Sequence, residues 1–334
     1  MIKVAVICGG RSSEHEISCI SASGIISSID TSKFQPSLIG ITKSGKWVRL
    51  PVDTKFEIKD GKLPEVPTSA PAIALEDIDA DAIFSILHGP FGEDGTIQGL
   101  FEMLDKPYVG SGVLASAVAM DKHFAKEIFA AHGIKVAPGV AIKKGDPIHD
   151  YGFGYPVFVK PARGGSSRGT HKVKSATDLE RAVNDAFNYD GKVMIEKAIS
   201  GREIECAVLE RDGQIECSLP GEIKIDSRFE FYDFEAKYLD GATTVEVPAK
   251  IKDSEQIRKA AIEAFKALGC SGLARVDFFY TNDDEIVINE LNTLPGFTPT
   301  SVFPRLWQAT GLGYQEIITA LIETALKRTN GTLN

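Results

Sequence analysis

The segment GLARVDFFYTNDDEIVINELNTLPG, residues 272–296, predicts a β-hairpin. Two apolar runs rich in Val, Ile and Phe flank the polar turn TNDD at 281–284, which is the pattern of two strands joined by a short loop. Because side chains alternate between the two faces of a strand, Arg275 and Asp277 share one face of the first strand.

The second strand of this hairpin carries Glu290 and Asn292, which share a face by the same rule. Pairing of the two strands would bring oxygen donors and a guanidinium together above one face. Carboxylate and amide oxygens suit Mg²⁺, which completes its ligand shell with substrate phosphates. The alternative is a hairpin with one solvent-exposed face, on which these side chains are only solvated.

The chain has 334 residues, which is enough for two or three domains of ordinary size. Its formal net charge of −9 argues against nucleic acid or an anionic membrane as a partner, but it does not exclude an anionic cofactor at a locally basic site. The N-terminal stretch lacks the features of a signal peptide, and no apolar run is long enough to span a bilayer. We therefore expect a soluble cytoplasmic protein.

The five cysteines are odd in number, and no pair of them has the spacing of zinc ligands. Free, buried thiols in a reducing compartment are the simplest expectation. We assign none of them as a nucleophile.

Residues 1–112 alternate strand and helix patterns, which predicts an α/β domain with a doubly wound parallel sheet. The predicted elements are strands at 2–8, 37–41 and 82–87 and helices at 14–29 and 94–104. The polar, Pro-rich segment 50–78 predicts an irregular surface excursion.

Residues 113–334 alternate less regularly and predict an α+β architecture. A helical pattern runs from Val113 to Gly133, and a capping-box pattern predicts a helix start at Thr177. The other predicted elements are strands at 192–196 and 203–209, a helix from 253 closed by Gly269, and a last helix at 314–327.

A glycine loop, RGGSSRG at 163–169, lies between two predicted strands. Glycines let backbone N–H groups approach a phosphate, Ser166 and Ser167 add hydroxyl donors, and Lys160 ends the preceding strand. The loop is not a Walker A motif, which opens a helix. Taken alone, the loop fits a mobile hairpin tip better than a phosphate site, and the residues around it favour the phosphate site.

Charged residues also flank the next two strands. Glu196 and Lys197 end one strand, and Glu203 opens the strand after it. A donor and acceptor pair beside an apolar floor suits an adenine, and a carboxylate suits ribose hydroxyls. Each of these charges taken singly is more often only solvated.

A series of motifs follows in order along nearly the whole chain: GGRSSEHEIS at 9–18, LHGPFGEDGTIQG at 87–99, YVGSG at 108–112, MDK at 120–122, VKPARGGSS at 159–167, IEK at 195–197, FYDFEAKY at 231–238, ARVD at 274–277 and NELNTLPGFTPTS at 289–301. In these motifs the chain resembles the ATP-grasp superfamily and, within it, the D-alanine–D-alanine ligase family. Several of the strings are rare, and their joint order argues against coincidence.

The resemblance implies an ATP-dependent ligation. ATP phosphorylates the carboxylate of one D-alanine, the amine of a second D-alanine attacks the acyl phosphate, and phosphate leaves from a tetrahedral intermediate. The dipeptide serves peptidoglycan synthesis. The resemblance also implies an N-terminal substrate-binding domain, a central ATP-grasp subdomain with the glycine loop, a C-terminal subdomain with the metal site and a lid, and a homodimer. We place these domains at 1–112, 113–197 and 198–334.

Binding residues follow from the resemblance position by position. The implied ligands of Mg²⁺ or Mn²⁺, with two ions expected, are Asp277, Glu290 and Asn292. The implied nucleotide contacts are Lys122, Lys160, Ser167, Glu196, Lys197 and Glu203.

Catalytic roles are implied in the same way. Glu14 falls on the partner of the first substrate's ammonium, and Arg275 and the Gly296 N–H fall where the tetrahedral oxyanion is held. Ser301 falls on the contact to the second substrate's carboxylate, and His88 falls beside the first substrate. Two alternatives stay open: Ser301 as a helix cap, and His88 as a donor that stabilises a turn.

A lid is the last implied feature. Ser166 and Tyr238 match a hydrogen-bonded Glu–Ser–Tyr set that ties a mobile loop, at about 226–245, over the site. Lys237 on this loop would meet the γ-phosphate of ATP. Closure would exclude water and protect the acyl phosphate from hydrolysis.

Three other functions compete with this interpretation. A related ligase could join D-alanine to D-lactate or D-serine, and Tyr238 is the residue that discriminates against the ester-forming type. A regulatory protein on the same fold would have lost the metal-site residues, which are all present. An oxidoreductase would need a GxGxxG motif, which the VAVICGG start lacks.

Overall fold

The structure is a computed structural model that describes residues 1–225 and 243–328. Three sheets organise this part of the chain. The N-terminal region consists of β1 (Ile2–Gly9), α1 (His15–Ser28), β2 (Phe34–Ile41), β3 (Trp47–Leu50), β4 (Ala82–Ser85) and α2 (Thr96–Met103). The central region consists of α3 (Val113–Met120), α4 (Lys122–Ala131), β5 (Gly139–Lys143), β6 (Val157–Pro161), β7 (His171–Val173), α5 (Ala176–Ala186) and β8 (Lys192–Lys197).

The C-terminal region begins with the long strand β9. Its elements are β9 (Gly201–Arg211), β10 (Gln214–Cys217), β11 (Gly221–Ile225), β12 (Thr243–Glu246), α6 (Ser254–Ala267), β13 (Leu273–Thr281), β14 (Ile286–Asn292), α7 (Val302–Thr310) and α8 (Tyr314–Leu326). Each of the three sheets falls within one of the predicted domain ranges, and the exact boundaries stay a prediction.

The N-terminal sheet has the order β3-β2-β1-β4. Strand β1 pairs in parallel with both β2 and β4, which confirms the parallel sheet predicted from the alternating pattern. Strand β3 adds an antiparallel edge that was not predicted. Apolar clusters pack on both faces of the sheet, as expected for a buried parallel strand such as β1. The irregular segment 50–78 is anchored to this core by the buried side chains of Phe56 and Val66.

The central sheet has the order β5-β8-β6-β7 and packs against α5. The C-terminal sheet has the path β12-β11-β9-β13-β14, with β10 paired to β9. One of its faces packs on α3, α4 and α6, while helices α7 and α8 fill the space between it and the N-terminal sheet. All five cysteines are buried free thiols, as predicted.

The predicted helix from Val113 to Gly133 is wrong as a single element. It breaks at Asp121, whose backbone is extended and whose side chain caps α4 by accepting a hydrogen bond from the Phe124 N–H. The break is stabilised from outside the helix, because the Asp121 carboxylate also accepts from Lys192 Nζ at 2.6 Å. The Lys122 N–H is thereby free to bond the Ala162 carbonyl at the base of the glycine loop.

The predicted capping box at Thr177 is also wrong. Helix α5 begins at Ala176 with Ser175 as its N-cap, and no side chain caps it. The Ser175 hydroxyl bonds the side chains of Thr177 and Asp178 instead of a backbone amide. The other predicted start is confirmed, since Asp253 accepts bonds from the N–H groups of Glu255 and Gln256.

The side chain of Phe297 connects the N-terminal sheet to the C-terminal helices. It is fully buried, and its ring is tilted against those of Phe84, Phe303 and Tyr314 at ring-centre distances of 5.7, 5.9 and 5.4 Å. The Tyr314 hydroxyl donates to the Phe297 carbonyl at 2.6 Å. The residue before it is Gly296, so this packing fixes the backbone at the predicted oxyanion site.

Replacement of Phe297 by Ala should therefore lower the free energy of unfolding by about 3–5 kcal/mol, the usual cost of truncating a buried aromatic ring. Chemical denaturation followed by circular dichroism measures this. Ile58→Ala, at a side chain that is 60% exposed, is the matched control and should change stability by less than about 0.5 kcal/mol. Equal stability of the two variants would contradict the central position of Phe297.

Candidate active site

The predicted hairpin is confirmed as β13 and β14, which pair in antiparallel fashion. In their register Arg275 lies opposite Asn292, and Asp277 lies opposite Glu290. Residues directly opposite one another in an antiparallel pair project from the same face. The four polar side chains therefore converge, as the alternation pattern predicts.

A β-bulge in this hairpin adds a residue that was not predicted. The register shifts after Asp277, so that Asn289 has no partner on β13. Asn289 and Glu290 both line one cavity, while Ile288 and Leu291 on either side both enter the core. The bulge thus turns two consecutive side chains to the same face, a use of bulges that is frequent beside active sites. The trace of the bulge in the sequence is the adjacent polar pair Asn289-Glu290, which lies between the apolar residues Ile288 and Leu291.

Two cavities meet above the hairpin. The larger has a volume of about 940 Å³ and the smaller about 400 Å³. Both are lined by Lys122, by Glu290 and by residues 164–166 of the glycine loop. We call these shared residues the seam. A group bound in one cavity would meet a group bound in the other at the seam.

The predicted site residues divide between the two cavities. The larger cavity is lined by most of the predicted nucleotide contacts and one metal ligand: Lys122, Lys160, Ser167, Glu196, Glu203 and Asp277. The smaller cavity is lined by the residues predicted to bind amino-acid substrates and the oxyanion, together with one metal ligand: Glu14, His88, Arg275, Asn292, Gly296 and Ser301. Glu290 and Ser166 line both cavities.

Among the predicted site residues that the structure describes, Lys197 lines neither cavity. It ends β8 with an exposed side chain, and its N–H bonds the Pro138 carbonyl at 2.8 Å. The next residues, Ala198 and Ile199, line the larger cavity in its place. Tyr238 and Lys237 lie outside the described residues 1–225 and 243–328.

The glycine loop is held at the seam by two contacts. Ser166 Oγ donates to Glu14 Oε1 at 2.6 Å, and Lys122 Nζ donates to the Gly164 carbonyl at 2.5 Å. Ser166 and Ser167 both have positive φ angles, of 51° and 56°. Such left-handed turns can form nests of backbone N–H groups for an anion. These contacts favour a binding loop over a plain hairpin tip.

Charge is closely balanced above the hairpin. Arg275 binds Asp277 through two hydrogen bonds of 2.8 and 2.7 Å, and its Nε lies 3.0 Å from Glu205 Oε2. Lys122 Nζ lies 3.4 Å from Glu290 Oε2. These cations offset the repulsion between Asp277 and Glu290, because like charges directly opposite on neighbouring strands are destabilising.

The donor set fits a divalent cation. Two facing carboxylates and the Asn292 amide, whose oxygen already accepts the Leu294 N–H at 2.9 Å, are hard oxygen donors. No cluster of three or more His, Cys, Asp or Glu side chains suited to a metal occurs in the described residues. A metal ion here would thus be held by few protein groups and by the phosphates of a bound nucleotide, which is how Mg²⁺ is usually bound.

A buried ion cluster supports the floor of the larger cavity. Lys126 and Lys160 each place Nζ 2.5 Å from one oxygen of Glu196. Burial acts to raise the pKa of Glu196, but the two lysines outweigh it and hold that pKa at about 2. Lys126 was not predicted from the sequence, although its position one helical turn after Lys122 is a signal, since two lysines on one helix face repel unless an anion lies nearby.

His88 and Ser301 both form hydrogen bonds with residues that line the smaller cavity. His88 is buried, with Nδ1 3.1 Å from the Leu294 carbonyl and Nε2 3.3 Å from Ser21 Oγ. Burial acts to lower the pKa of His88, but nearby Glu93 and Glu14 outweigh it and raise that pKa. Ser301 is the N-cap residue of α7, but its side chain forms no capping hydrogen bond with the helix. Its hydroxyl instead accepts the Thr298 N–H at 3.0 Å, beside the smaller cavity.

Two family models match the chain. The model of the D-ala D-ala ligase N-terminus matches residues 3–111, and that of the D-ala D-ala ligase C-terminus matches residues 128–323. Among curated proteins, the D-alanine–D-alanine ligase of Arthrobacter sp. (strain FB24) is 47% identical, over 98% of this chain and 95% of its own length. That of Frankia casuarinae is 46% identical, over 98% and 97% of the two chains.

Solved structures give the same result. The D-alanine–D-alanine ligase from Coxiella burnetii superimposes with a TM-score of 0.80 at 35% identity, covering 98% of this chain and 94% of its own. The VanG D-Ala:D-Ser ligase from Enterococcus faecalis gives 0.83 at 35% identity, with coverage of 97% and 99%. The Bacillus anthracis D-alanine–D-alanine ligase complexed with ATP gives 0.78 at 29% identity, with coverage of 98% for both chains.

The hairpin, the glycine loop and the paired cavities thus occur in a chain that matches both halves of one enzyme family along almost its whole length. This chain has the ATP-grasp fold and belongs to the D-alanine–D-alanine ligase family.

Proposed function

We propose that this protein joins two D-alanine molecules with ATP and releases D-alanyl-D-alanine, ADP and phosphate. The observation that carries the proposal is the seam, where Lys122, Glu290 and Ser166 line both cavities. A nucleotide in the larger cavity would present its terminal phosphate to a carboxylate in the smaller one. The reaction supplies the dipeptide for peptidoglycan synthesis, and we place it in the cytoplasm, where ATP is available.

The first step transfers a phosphoryl group. A carboxylate oxygen of the first D-alanine attacks the γ-phosphorus of ATP, the bond to the β-phosphate oxygen breaks, and ADP leaves. Glu14 would hold the ammonium group of this D-alanine. Its carboxylate accepts a hydrogen bond from Ser166 Oγ at 2.6 Å, which links the glycine loop directly to the group that would bind the substrate.

The second step forms the peptide bond. The amine of the second D-alanine attacks the acyl carbon, which places a negative charge on the former carbonyl oxygen. Arg275 and the Gly296 N–H, which line the same cavity, would stabilise this oxyanion. The bond to the phosphate oxygen then breaks, the amine loses a proton, and phosphate departs. Ser301 would hold the carboxylate of the second D-alanine, and His88 would flank the first.

We propose that Asp277, Glu290 and Asn292 hold Mg²⁺ or Mn²⁺, with two ions at the site. When bound, these ions would neutralise the charge on the transferring phosphoryl group. The position of these residues supports the proposal, because Asp277 lines the larger cavity, Asn292 the smaller and Glu290 both. Lys160, Ser167, Glu196 and Glu203 would bind the nucleotide. Lys237 and Tyr238 would complete the closed site, and both roles rest on the sequence motif alone.

The choice of second substrate remains the point at which related ligases differ. The VanG structure carries D-Ala:D-Ser in its name, whereas the curated relatives at 45–47% identity are named D-alanine–D-alanine ligases. The higher identity favours D-alanine. A neutral phenol at Tyr238 also gives no cation to attract D-lactate, because D-lactate is a net anion while D-alanine is a zwitterion.

We also propose a homodimer. Large apolar side chains are exposed on two neighbouring helices: Met103 on α2, and Val113 and Leu114 on α3, with exposures of 87%, 41% and 75%. Exposed apolar patches on monomers commonly mark interaction surfaces.

No helix in the described part of the chain is long and apolar enough to cross a membrane.

Replacement of Glu290 by Gln keeps the shape of the side chain and removes a charge from the proposed metal site. Turnover should fall by about 100-fold or more, in line with the loss of a preorganised electrostatic contact in a transition state. Phosphate release with ATP, Mg²⁺ and D-alanine measures this. Glu285→Gln, in the exposed turn of the same hairpin, is the control and should keep normal activity. Near-normal turnover of Glu290→Gln would exclude the metal role.

The product distribution tests the acceptor. With D-alanine, D-serine and D-lactate present together at pH 7, mass analysis should find D-alanyl-D-alanine as the main product. Tyr238→Lys should raise the proportion of the D-lactate ester, since a cation at this position would attract the anion. Substantial ester formation by the wild type would contradict the assigned product, and an unchanged ratio in the variant would contradict the role of Tyr238.

Leu114→Glu tests the dimer. A charge in an apolar interface is costly to bury, so this variant should sediment as a monomer at concentrations where the wild type is a dimer. Ile58→Glu, which changes an exposed apolar side chain outside α2 and α3, should leave the dimer intact. A monomeric wild type, or a dimeric Leu114→Glu, would show that this surface is not the interface.

A further inference from the structure

The buried side chain of Lys126 has no role in the reaction as described above. It projects from α4, one turn after Lys122, and is only 6% exposed. Lysines are almost never fully buried unless they are paired. Lys126 is not among the residues that line the larger cavity, so it cannot act by touching a nucleotide bound there.

Its partner is Glu196, which it shares with Lys160. Lys126 Nζ lies 2.5 Å from Glu196 Oε2, and Lys160 Nζ lies 2.5 Å from Glu196 Oε1. The two lysines differ in position, because Lys160 lines the cavity whereas Lys126 lies behind the carboxylate. Lys160 Nζ is also 3.4 Å from the Asn289 amide oxygen. One carboxylate and two ammonium groups leave the cluster with one excess positive charge.

The excess charge depends on Lys126. Without it, Glu196 and Lys160 would form a neutral pair, and the full charge of the carboxylate would compete with a bound anion for Lys160. Charges interact strongly when they are removed from water, so this competition is large at a buried site. With Lys126 in place, the carboxylate is already neutralised from behind, and Lys160 remains available to an anion.

We propose that Lys126 is a positioning residue for nucleotide binding, which neutralises Glu196 so that Lys160 presents its positive charge to the polyphosphate. The inference rests on the proposed function in one respect: the anion is taken to be ATP. A purely structural role, in which Lys126 only satisfies a buried carboxylate, makes a different prediction for the double variant described below.

The titration of Lys126 supports the same role. Burial lowers the pKa of Lys126 to about 8, with Glu196 opposing this shift and Lys160 adding to it. Glu290 faces the same cluster and acts to raise that pKa. Because its pKa is lowered, Lys126 carries its charge below pH 8 and loses it above. Nucleotide affinity should therefore decrease as the pH rises through about 8.

The test is equilibrium binding of the non-hydrolysable analogue adenylyl imidodiphosphate with Mg²⁺ and without D-alanine, by calorimetry. Lys126→Met should weaken binding by about 10-fold or more, while Lys126→Arg, which keeps the charge, should bind within about 3-fold of the wild type. In the double variant Lys126→Met/Glu196→Gln, the glutamine keeps a hydrogen-bonding oxygen where Glu196 would contact the nucleotide but removes the negative charge, which restores the excess positive charge on Lys160. The double variant should bind more tightly than Lys126→Met.

Two outcomes overturn the inference while leaving the proposed function intact. One is wild-type affinity in Lys126→Met, and the other is a double variant that binds as weakly as Lys126→Met. Loss of analogue binding by the wild type would instead overturn the proposed function and the inference together. Circular dichroism establishes that the variants are folded.

A measurement on the wild type does not depend on the folding of any variant. The dissociation constant of the analogue should rise between pH 7 and pH 9.5, with the rise beginning near pH 8, because deprotonation of Lys126 in the free protein removes the charge that favours binding and its lowered pKa is about 8. In Lys126→Arg the same range should be nearly flat, because a guanidinium stays protonated throughout.

Discussion

The register of β13 against β14 is the constraint on which the site depends. It places Asp277 opposite Glu290 and Arg275 opposite Asn292, so that the proposed metal ligands and the proposed oxyanion-binding group project from one face. A shift by one residue would turn the side chains of the shifted strand to the other face. The register is fixed from the opposite side, where Val276, Ile288 and Leu291 enter the core beneath the sheet. The position of the polar site thus depends on apolar packing beneath the sheet.

Ion pairs constrain the charged groups in and behind the two cavities. Carboxylates of the site are paired with cations, as in Arg275 with Asp277 and Lys126 with Glu196. A buried charge that loses its partner is expensive, so these pairs constrain one another. Binding of a highly charged nucleotide would redistribute them, which is the basis of the role that we propose for Lys126.

Features encoded by local spacing could be predicted from the sequence. The hairpin, the face shared by Arg275 and Asp277, and the parallel sheet around β1 follow from strand periodicity and are present in the structure. The motif order placed most of the described site residues on the two cavities. The roles of these residues in the reaction stay predictions.

Features that depend on distant partners could not be predicted. The helix break at Asp121 is stabilised by Lys192 and Ala162, and nothing in the run from Val113 to Gly133 reveals them. Lys126 meets its carboxylate across 70 residues of chain. Asn289 reaches the cavity only because a bulge breaks the alternation, which on its own would place Ile288 beside Glu290.

The central claim is that a carboxylate in one cavity receives phosphate from a nucleotide in the other. The most direct measurement uses D-alanine labelled with ¹⁸O in its carboxylate and follows the label by mass spectrometry of the released phosphate. An acyl phosphate carries one carboxylate oxygen away with the phosphate, so one ¹⁸O should appear in each phosphate formed along with the dipeptide. Phosphate without ¹⁸O would mean that water, not D-alanine, takes the phosphoryl group, and would contradict the account.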